Sequence, residues 1–292
     1  MSSPNMEPDP PTSAVDVPPV KTSPTRRRRM IRALKVLGVV LVLWLISAYV
    51  LLPALWRHYE HHPKLALAPK TTLTSQGIPG DPLNVGLIAT EEDVVHSMLL
   101  AGWSPADPIT LRSSLRIATS VIFKRPDVNA PVSNLFLFGR KQDLAFEKPV
   151  GNNARRRHHV RFWKSAELGS QNVPLFLGSA TFDVSVGLSH DTGQITHHIS
   201  PDIDAQRNEL IADLVHAGRV AKLYQVTGVG ATMFGRNGEG DRYFTDGELT
   251  VGVLAVGASG VETPERLANP PLVRGKDQLW AAIKPFLSAS SP

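Results

Sequence analysis

The stretch VLGVVLVLWLISAYVLLPALW, residues 36–56, decides the class of this protein because it carries no charged residue over 21 positions. As an α-helix it would be roughly 31 Å long, about the thickness of the hydrocarbon core of a bilayer. A single segment in lipid must satisfy its own backbone polar groups, and only a helix does so. The stretch therefore predicts one transmembrane helix near the N-terminus.

A cleaved signal peptide and a buried core helix are the two alternatives. The apolar region of a signal peptide is shorter and ends at an A-x-A site. The nearest such site, residues 66–68, lies beyond the charged residues Arg57, Glu60 and Lys64. An uncharged run of this length beside a basic cluster also disfavours a core helix. We therefore expect the segment to persist as a membrane anchor.

Basic residues are concentrated on the N-terminal side of the apolar stretch. Residues 1–35 hold seven Lys and Arg, whereas the fourteen residues after Trp56 hold three. The positive-inside rule predicts that the N-terminus lies in the cytoplasm and that the C-terminal part lies outside.

The net charge of +5 belongs to the membrane flank. Residues 1–57 hold eight Lys and Arg against three Asp and Glu, so the rest of the chain carries 23 basic and 23 acidic residues. A domain without net positive charge is poorly suited to binding the phosphate backbone of a nucleic acid, so we expect no nucleic-acid partner. The expected partners are the lipid bilayer, including anionic lipid, and envelope proteins. The chain has no cysteine, which excludes disulfides and cysteine-ligated metals.

Four parts follow from composition. Residues 1–25 are rich in Pro and Ser and are predicted to form a disordered cytoplasmic tail. Residues 26–56 are the basic flank and the transmembrane helix. Residues 57–82 contain four prolines and are predicted to be a linker. Residues 83–292 are predicted to fold as one extracytoplasmic domain.

The pattern of residues 83–292 predicts an α+β fold, a mainly antiparallel sheet with packed helices. Thr90, followed by Asp93, is a capping signal for a helix that ends at Gly102, and Asp107–Pro108 predicts the start of another. Further helices are expected after Ser200 and from Asp277. The predicted strands are NVGLIAT, NLFLFG, DLAFEK, HHVRFW, PLFLGSATFDVSV, ITHHIS, LYQVTGV and ELTVGVLAV. The strands NLFLFG and DLAFEK are predicted to pair as a hairpin.

Histidines and carboxylates crowd the middle of the domain, where five of the ten histidines fall between residues 158 and 198. Imidazole and carboxylate together ligate Zn, Mn or Fe, and histidine also serves as an acid or base near neutral pH. The candidate catalytic residues are His159, His190, His198 and Asp183. The candidate ligands of a divalent metal, Zn or Mn, are His190, His198 and Asp202. No spacing matches a zinc motif such as H-E-x-x-H, so structural histidines and pH sensing remain alternatives.

Strand alternation sorts the candidate histidines by face. Successive side chains of a strand point to opposite sides of the sheet. If the strands pair, His159 and His198 share the polar face with Asp183, whereas His158 and His197 point toward the core. We therefore expect a histidine-rich site on the polar face.

Arginines precede and enter the same strand region. The planar guanidinium group suits phosphate and carboxylate, so Arg157, Arg161 and Arg140 are candidate residues for binding an anionic ligand. A solvated loop before a strand is the alternative interpretation of the run that begins at Arg155.

Four stretches carry a family resemblance: GWSPADPITLRSSLRI, PVSNLFLFGRKQDLAFEK, RRRHHVRFW and GSATFDVSVGLSHDTGQITHHISPDIDAQRNELIADL. Together they resemble the LssY C-terminal domain family over about residues 80–225. The resemblance implies a bacterial source and a location in the inner membrane. It supplies no catalytic residues. Some relatives join this domain to multi-pass segments that resemble lipid-phosphatase or DedA-type proteins, whereas this chain has one predicted anchor.

Two hypotheses about function follow. In the first, the domain is a hydrolase that acts on a lipid-linked or phosphorylated envelope substrate, with the histidines and Asp183 as acid, base or metal ligands. In the second, the domain is a non-catalytic accessory that binds an envelope protein or ligand, and its histidines are structural.

Overall fold

The computed structural model describes residues 24–55, 65, 68–106, 134–151, 153–168, 173–188, 195–257 and 260–289. Its contacts divide the chain into two units, Met1–Trp56 and Arg57–Pro292.

The N-terminal unit is a single helix. Helix α1 spans Pro24–Ile46 and continues through a wider π-helical turn at Ser47–Leu51. Pro53 has no N–H for the carbonyl of Tyr49, and its ring crowds that carbonyl, which accounts for the wider turn. Within the helical span Thr25–Leu55, the most apolar window of 18 residues has a mean hydropathy of 2.5, and none of that window is buried. By length and composition this helix can cross a membrane.

The second unit contains three helices and fifteen strands within its described residues. The helices are α2 (Glu91–Leu100), α3 (Ile203–His216) and α4 (Pro271–Ala289). The strands are β1 (Thr71–Leu73), β2 (Pro79–Pro82), β3 (Val85–Ile88), β4 (Ser104–Pro105), β5 (Phe136–Leu137), β6 (Arg140–Lys141), β7 (Leu144–Val150), β8 (Asn153–Leu168), β9 (Pro174–Leu188), β10 (Ile195–Ile199), β11 (Val220–Thr227), β12 (Phe234–Arg236), β13 (Arg242–Phe244), β14 (Glu248–Leu254) and β15 (Glu265–Arg266).

One large sheet organises this unit. Its order is β15-β11-β14-β3-β9-β8-β7-β4, and β10 also pairs with β9. Strands β14 and β3 are parallel, as are β11 and β15, whereas the other described pairs of the sheet are antiparallel. A smaller sheet has the order β2-β1-β5-β6, and β12 pairs with β13. The prediction of an α+β fold with a mainly antiparallel sheet is confirmed.

The two faces of the large sheet are covered differently. Helices α2 and α3 pack on one face, where Met98 and Leu214 meet Phe162 and other apolar side chains of the sheet. On the opposite face Trp163 joins a second apolar cluster, to which Leu137 of the smaller sheet contributes. This second face is apolar around Trp163 and strongly polar further along the same strands, and that polar part holds the candidate site.

Several local predictions are confirmed. All residues of β3 are buried, as expected for NVGLIAT. The Thr90 hydroxyl oxygen accepts a hydrogen bond from the Asp93 backbone N–H at the start of α2. Gly102 follows α2 with φ +84°, a conformation that glycine adopts without strain. The helix predicted from Asp107 lies outside the described residues.

The predicted hairpin between NLFLFG and DLAFEK is wrong. Strand β5 pairs with β6 instead, whereas β7 pairs with β8 and β4 in the large sheet. Phe138 and Gly139 both have positive φ, which suits a two-residue turn and closes the hairpin earlier than predicted. The buried residues Leu144, Ala145 and Phe146 are then free to enter the large sheet.

Two boundaries also differ from the sequence prediction. Strands β1 and β2 lie in the C-terminal part of the predicted linker, so residues 71–82 contribute to the folded unit. Helix α4 begins at Pro271, earlier than the predicted start at Asp277.

Candidate functional site

A layer of charged side chains lies on the sheet face opposite α2 and α3. The strand period places these side chains together, because Glu147 of β7 pairs with His159 of β8, and Arg157 of β8 pairs with Asp183 of β9. We call this set the charged layer, and its members are Asp81, Glu147, Arg157, His159, Arg161 and Asp183. The polar face predicted from sequence is therefore a buried face, since no member is more than 9% exposed.

Arg157 is the centre of the charged layer. Its Nη1 donates to Glu147 Oε2 at 2.8 Å, and its Nε donates to Asp183 Oδ2 at 3.1 Å. Its Nη2 lies 3.5 Å from Nε2 of His197. One guanidinium thus holds two carboxylates and one imidazole in fixed positions.

A third ion pair joins the large sheet to β2. Nη1 of Arg161 donates to Oδ2 of Asp81 at 3.3 Å, and the Asn237 side-chain amide donates to the other oxygen of Asp81 at 3.3 Å. Burial raises the pKa of Asp81, whereas Arg161 and Asn237 act in the opposite direction. Asp81 was not predicted, because it lies in the stretch interpreted as a linker.

His159 is the unusual member of the charged layer. It is only 2% exposed, and its Nε2 has no hydrogen-bond partner among the described residues. Burial lowers the pKa of His159 well below 6.5, and the nearby guanidinium groups of Arg161 and Arg157 lower it further. His159 is therefore neutral near pH 7, with one ring nitrogen able to accept a proton or a hydrogen bond.

A cavity of about 40 Å³ lies beside His159. Its wall includes Asp81, Arg161, Asp183 and His197, and residues 237–239 contribute to the same wall. A space of this size holds about three water molecules or one small polar group. The cavity therefore brings two imidazoles, a guanidinium group and three carboxylates around a space sized for one reacting group.

The structure places His197 beside the charged layer, against Arg157, so the prediction that it points toward the core is wrong. Its pKa is lowered by burial and raised by Asp183, which agrees with a position near that carboxylate. The pairing of β10 with β9 shifts between His198 and Ile199, and such a bulge breaks the strict alternation used for the prediction. His158 does point to the apolar side, where its ring centroid lies 4.9 Å from that of Phe182.

His198 has a different partner from His159 and His197. Its Nδ1 lies 2.7 Å from Oδ1 of Asp241, and Oδ2 of the same carboxylate accepts a hydrogen bond from the Ile199 backbone N–H. The ring passes over Gly187, where an added Cβ would lie 2.6 Å from Nε2 of His198. Asp241 thus orients the imidazole of His198 at the edge of the sheet.

The predicted metal ligands are not assembled within the described part of the chain. Asp202 accepts a hydrogen bond from the Ala205 backbone N–H at the start of α3 and forms an ion pair of 2.9 Å with Lys284. His190 lies outside the described residues. No group of three His, Asp or Glu side chains in the described ranges is placed to hold a metal ion. The set of His190, His198 and Asp202 therefore stays a prediction.

Arg140 lies apart from the cavity wall. Its guanidinium forms an ion pair with Asp143 and donates to the carbonyl of Lys164. These contacts connect β6 to the end of β8 and give Arg140 a structural role in this arrangement.

Three residues of the site were missed from sequence: Asp81, Asn237 and Glu239. Asp81 lies in the short strand β2, whereas Asn237 and Glu239 lie in the glycine-containing turn RNGEG, and no spacing relates these stretches to the histidines. Only the fold brings them together.

Comparisons with known proteins give one result. No curated protein and no solved structure matches this chain. The family described as LssY C-terminus matches residues 65–249, which is more than half of the chain and includes the charged layer. The chain therefore belongs to the LssY C-terminus family.

Proposed function

We propose that this protein is a membrane-anchored hydrolase of the bacterial inner membrane that acts on a lipid-linked or phosphorylated substrate at the His159 cavity. The observation that carries the proposal is the buried, neutral His159, whose Nε2 lacks a partner in the described structure and which lines a cavity beside Arg161. Perturbed titratable groups around a concave site are typical of active sites.

The proposed chemistry gives each side chain a separate task. His159 takes a proton from a water molecule, which attacks the phosphoryl or acyl group in the cavity. The bond from that group to the leaving oxygen then breaks, and the proton held by His159 passes to the leaving oxygen. Arg161 binds an anionic oxygen of that group and stabilises the charge that develops there. Asp183 and Glu147 accept hydrogen bonds from Arg157, whose guanidinium lies against His197. The two carboxylates therefore position Arg157, and through it His197, at the cavity. The cavity admits only the reacting group, and the remainder of a lipid-linked substrate would stay outside it.

A second candidate is a non-catalytic accessory domain that binds an envelope partner. It is favoured by the ion pairs of the charged layer, because Glu147, Asp183 and Asp81 each bind an arginine. A network of this kind can hold the smaller sheet against the large sheet without any substrate.

The two candidates are separated by an activity screen on the full chain in detergent. Aryl phosphate monoesters, phosphate diesters and carboxylic esters serve as probes, and bound Zn and Mn are measured on the same sample. The variant His159→Gln should lose at least about 100-fold in rate, the effect expected for a general base. The matched variant His96→Gln, in α2, should keep the wild-type rate. Equal rates in wild type and His159→Gln would favour the accessory domain.

The orientation of the chain is part of the same proposal. We place the N-terminus in the cytoplasm and the folded domain outside, on the basis of the basic residues before the apolar helix. The basic flank would contact anionic lipid on the cytoplasmic side. A C-terminal fusion to a reporter enzyme that works only outside the cytoplasm should be active, and a fusion active only inside would reverse the orientation.

A further inference from the structure

A second and larger concavity lies at the other side of the folded unit. It is a groove of about 530 Å³ formed by α3, β11, β14, the segment after β15 and the first turn of α4. Pockets for small organic ligands are typically about 300–1,000 Å³. The groove shares no lining residue with the His159 cavity.

The charge of the groove has one sign. Arg266 and Arg274 line it, and its lining contains no Asp or Glu. Within the described ranges neither guanidinium forms an ion pair. The neighbouring carboxylates have other partners, since Glu265 pairs with Lys222 at 3.1 Å and Asp277 pairs with Lys276 at 2.9 Å. The two arginines therefore present uncompensated positive charge to whatever enters the groove.

The lining of the groove is partly apolar and also includes the polar side chains of Asn208, Gln225 and Asn269. Ile211 and Val215 of α3 and Leu223 of β11 line it. Thr250 of β14 lines it too and is only 6% exposed, yet its hydroxyl oxygen has no hydrogen-bond partner in the described structure. A buried hydroxyl without a partner is uncommon in folded proteins, and a polar atom of a molecule in the groove would complete its hydrogen bonding.

We propose that this groove binds an amphiphile that has one anionic head, a phosphate or a carboxylate, and a short apolar body. Arg266 and Arg274 bind the head, because guanidinium groups form paired charge-assisted hydrogen bonds with such oxygens. Ile211, Val215 and Leu223 contact the apolar body, and the Thr250 hydroxyl donates to a polar atom of the ligand. The proposal does not depend on hydrolysis at the His159 cavity.

The absence of cysteine from the chain permits a direct test. The variant Ala212→Cys places the only thiol of the full chain in the groove, and its rate of modification by a maleimide is measured in detergent. Hexyl phosphate or hexanoate should slow this rate at least about fivefold at saturation, because the bound ligand covers the thiol. Inorganic phosphate has the anionic head without the apolar body, and hexanol has the apolar body without the anionic head. Each should give little protection at the same concentration. The matched variant Leu279→Cys, exposed on α4, should react equally with and without ligand.

Three further variants connect the protection to the named residues. The double variant Arg266→Gln/Arg274→Gln should need at least about tenfold more hexyl phosphate for half-protection, and Thr250→Val should need a few-fold more. The matched variant Arg242→Gln, exposed on β13, should behave as wild type. Far-UV circular dichroism checks the fold of each variant, and the single arginine variants replace the double one if it does not fold. Equal protection by hexanol, equal protection of Leu279→Cys, or no change in the arginine variants would overturn the proposal.

Discussion

Arg157 and Asp183 lie directly opposite each other on β8 and β9, and Nε of Arg157 donates a hydrogen bond of 3.1 Å to Asp183 Oδ2. The same guanidinium binds Glu147 at 2.8 Å, and all three side chains are nearly excluded from solvent. Charges in such surroundings interact strongly, and each depends on its partners for compensation. Arg157 is therefore the member of the charged layer whose loss should affect the fold most.

The substitution Arg157→Met tests this dependence. It leaves the buried carboxylates of Glu147 and Asp183 without their shared guanidinium, so the free energy of unfolding should fall by about 3–5 kcal/mol. Chemical unfolding of the full chain in detergent, followed by far-UV circular dichroism, measures the change. The control Arg242→Met, at an exposed position, should change the free energy by no more than about 0.5 kcal/mol. A loss as small as that of the control would show that the ion pairs contribute little.

Stability should decrease when the pH falls from neutral toward about 5. Burial lowers the pKa of His159 and His197 below 6.5, so the unfolded chain takes up these protons first. Their contribution to stability is complete above pH 6.5 and is lost as the pH falls below that value toward the folded pKa. Burial raises the pKa of Asp81 and Glu248, so at more acidic pH the folded chain binds these two protons before the unfolded chain does. These two carboxyl groups therefore oppose the loss of stability on acidification.

Unfolding midpoints at about pH 7.5 and about pH 5.5 measure this effect, since the interval contains the ordinary histidine pKa. Wild type should be less stable at the lower pH, and His159→Gln should show a smaller difference between the two values. A wild-type midpoint that rises on acidification would contradict the assignment of neutral, buried histidines.

Two glycines should respond in opposite ways to alanine. At Gly187 a Cβ would lie 2.6 Å from Nε2 of His198, so Gly187→Ala must displace that ring from Asp241 and should cost about 1–3 kcal/mol. Adding His198→Ala should remove much of this cost. Gly275, in α4, has no atom within 4 Å of such a Cβ, and Gly275→Ala should stabilise the helix by up to about 1 kcal/mol. Thermal unfolding of Gly187→Ala, His198→Ala, their double variant and Gly275→Ala checks the signs, and additive effects at Gly187 and His198 would contradict the contact.

The elements predicted from local signals are those that depend on nearby residues alone. The Thr90 cap of α2, its end at Gly102 and the buried strand β3 follow from capping chemistry, glycine conformation and apolar runs. The hairpin after β5 was mispredicted because the choice between two closing turns depends on which sheet receives β7. Such a choice is a property of the whole fold rather than of the stretch itself.

The candidate site was predictable only in part. Alternation along β8 and β9 correctly placed His159 and Asp183 on one face, and it placed His197 on the wrong face because the register between β10 and β9 shifts at Val184 of β9. Alternation could not show that this face is buried, because its cover comes from the smaller sheet and from Asn237, far away in sequence. The three ion pairs of the charged layer thus appear only once the chain is folded.

The most direct test of the account is the titration of His159 in the full chain, followed by ¹⁵N chemical shifts of labelled histidine and assigned through His159→Gln. We predict that the imidazole of His159 stays neutral from about pH 8 down to about pH 6. An exposed histidine would already be mostly protonated at about pH 6. A His159 that becomes charged near its ordinary pKa of 6.5 would contradict this prediction, because such a side chain could not be the buried, neutral group that lines the cavity.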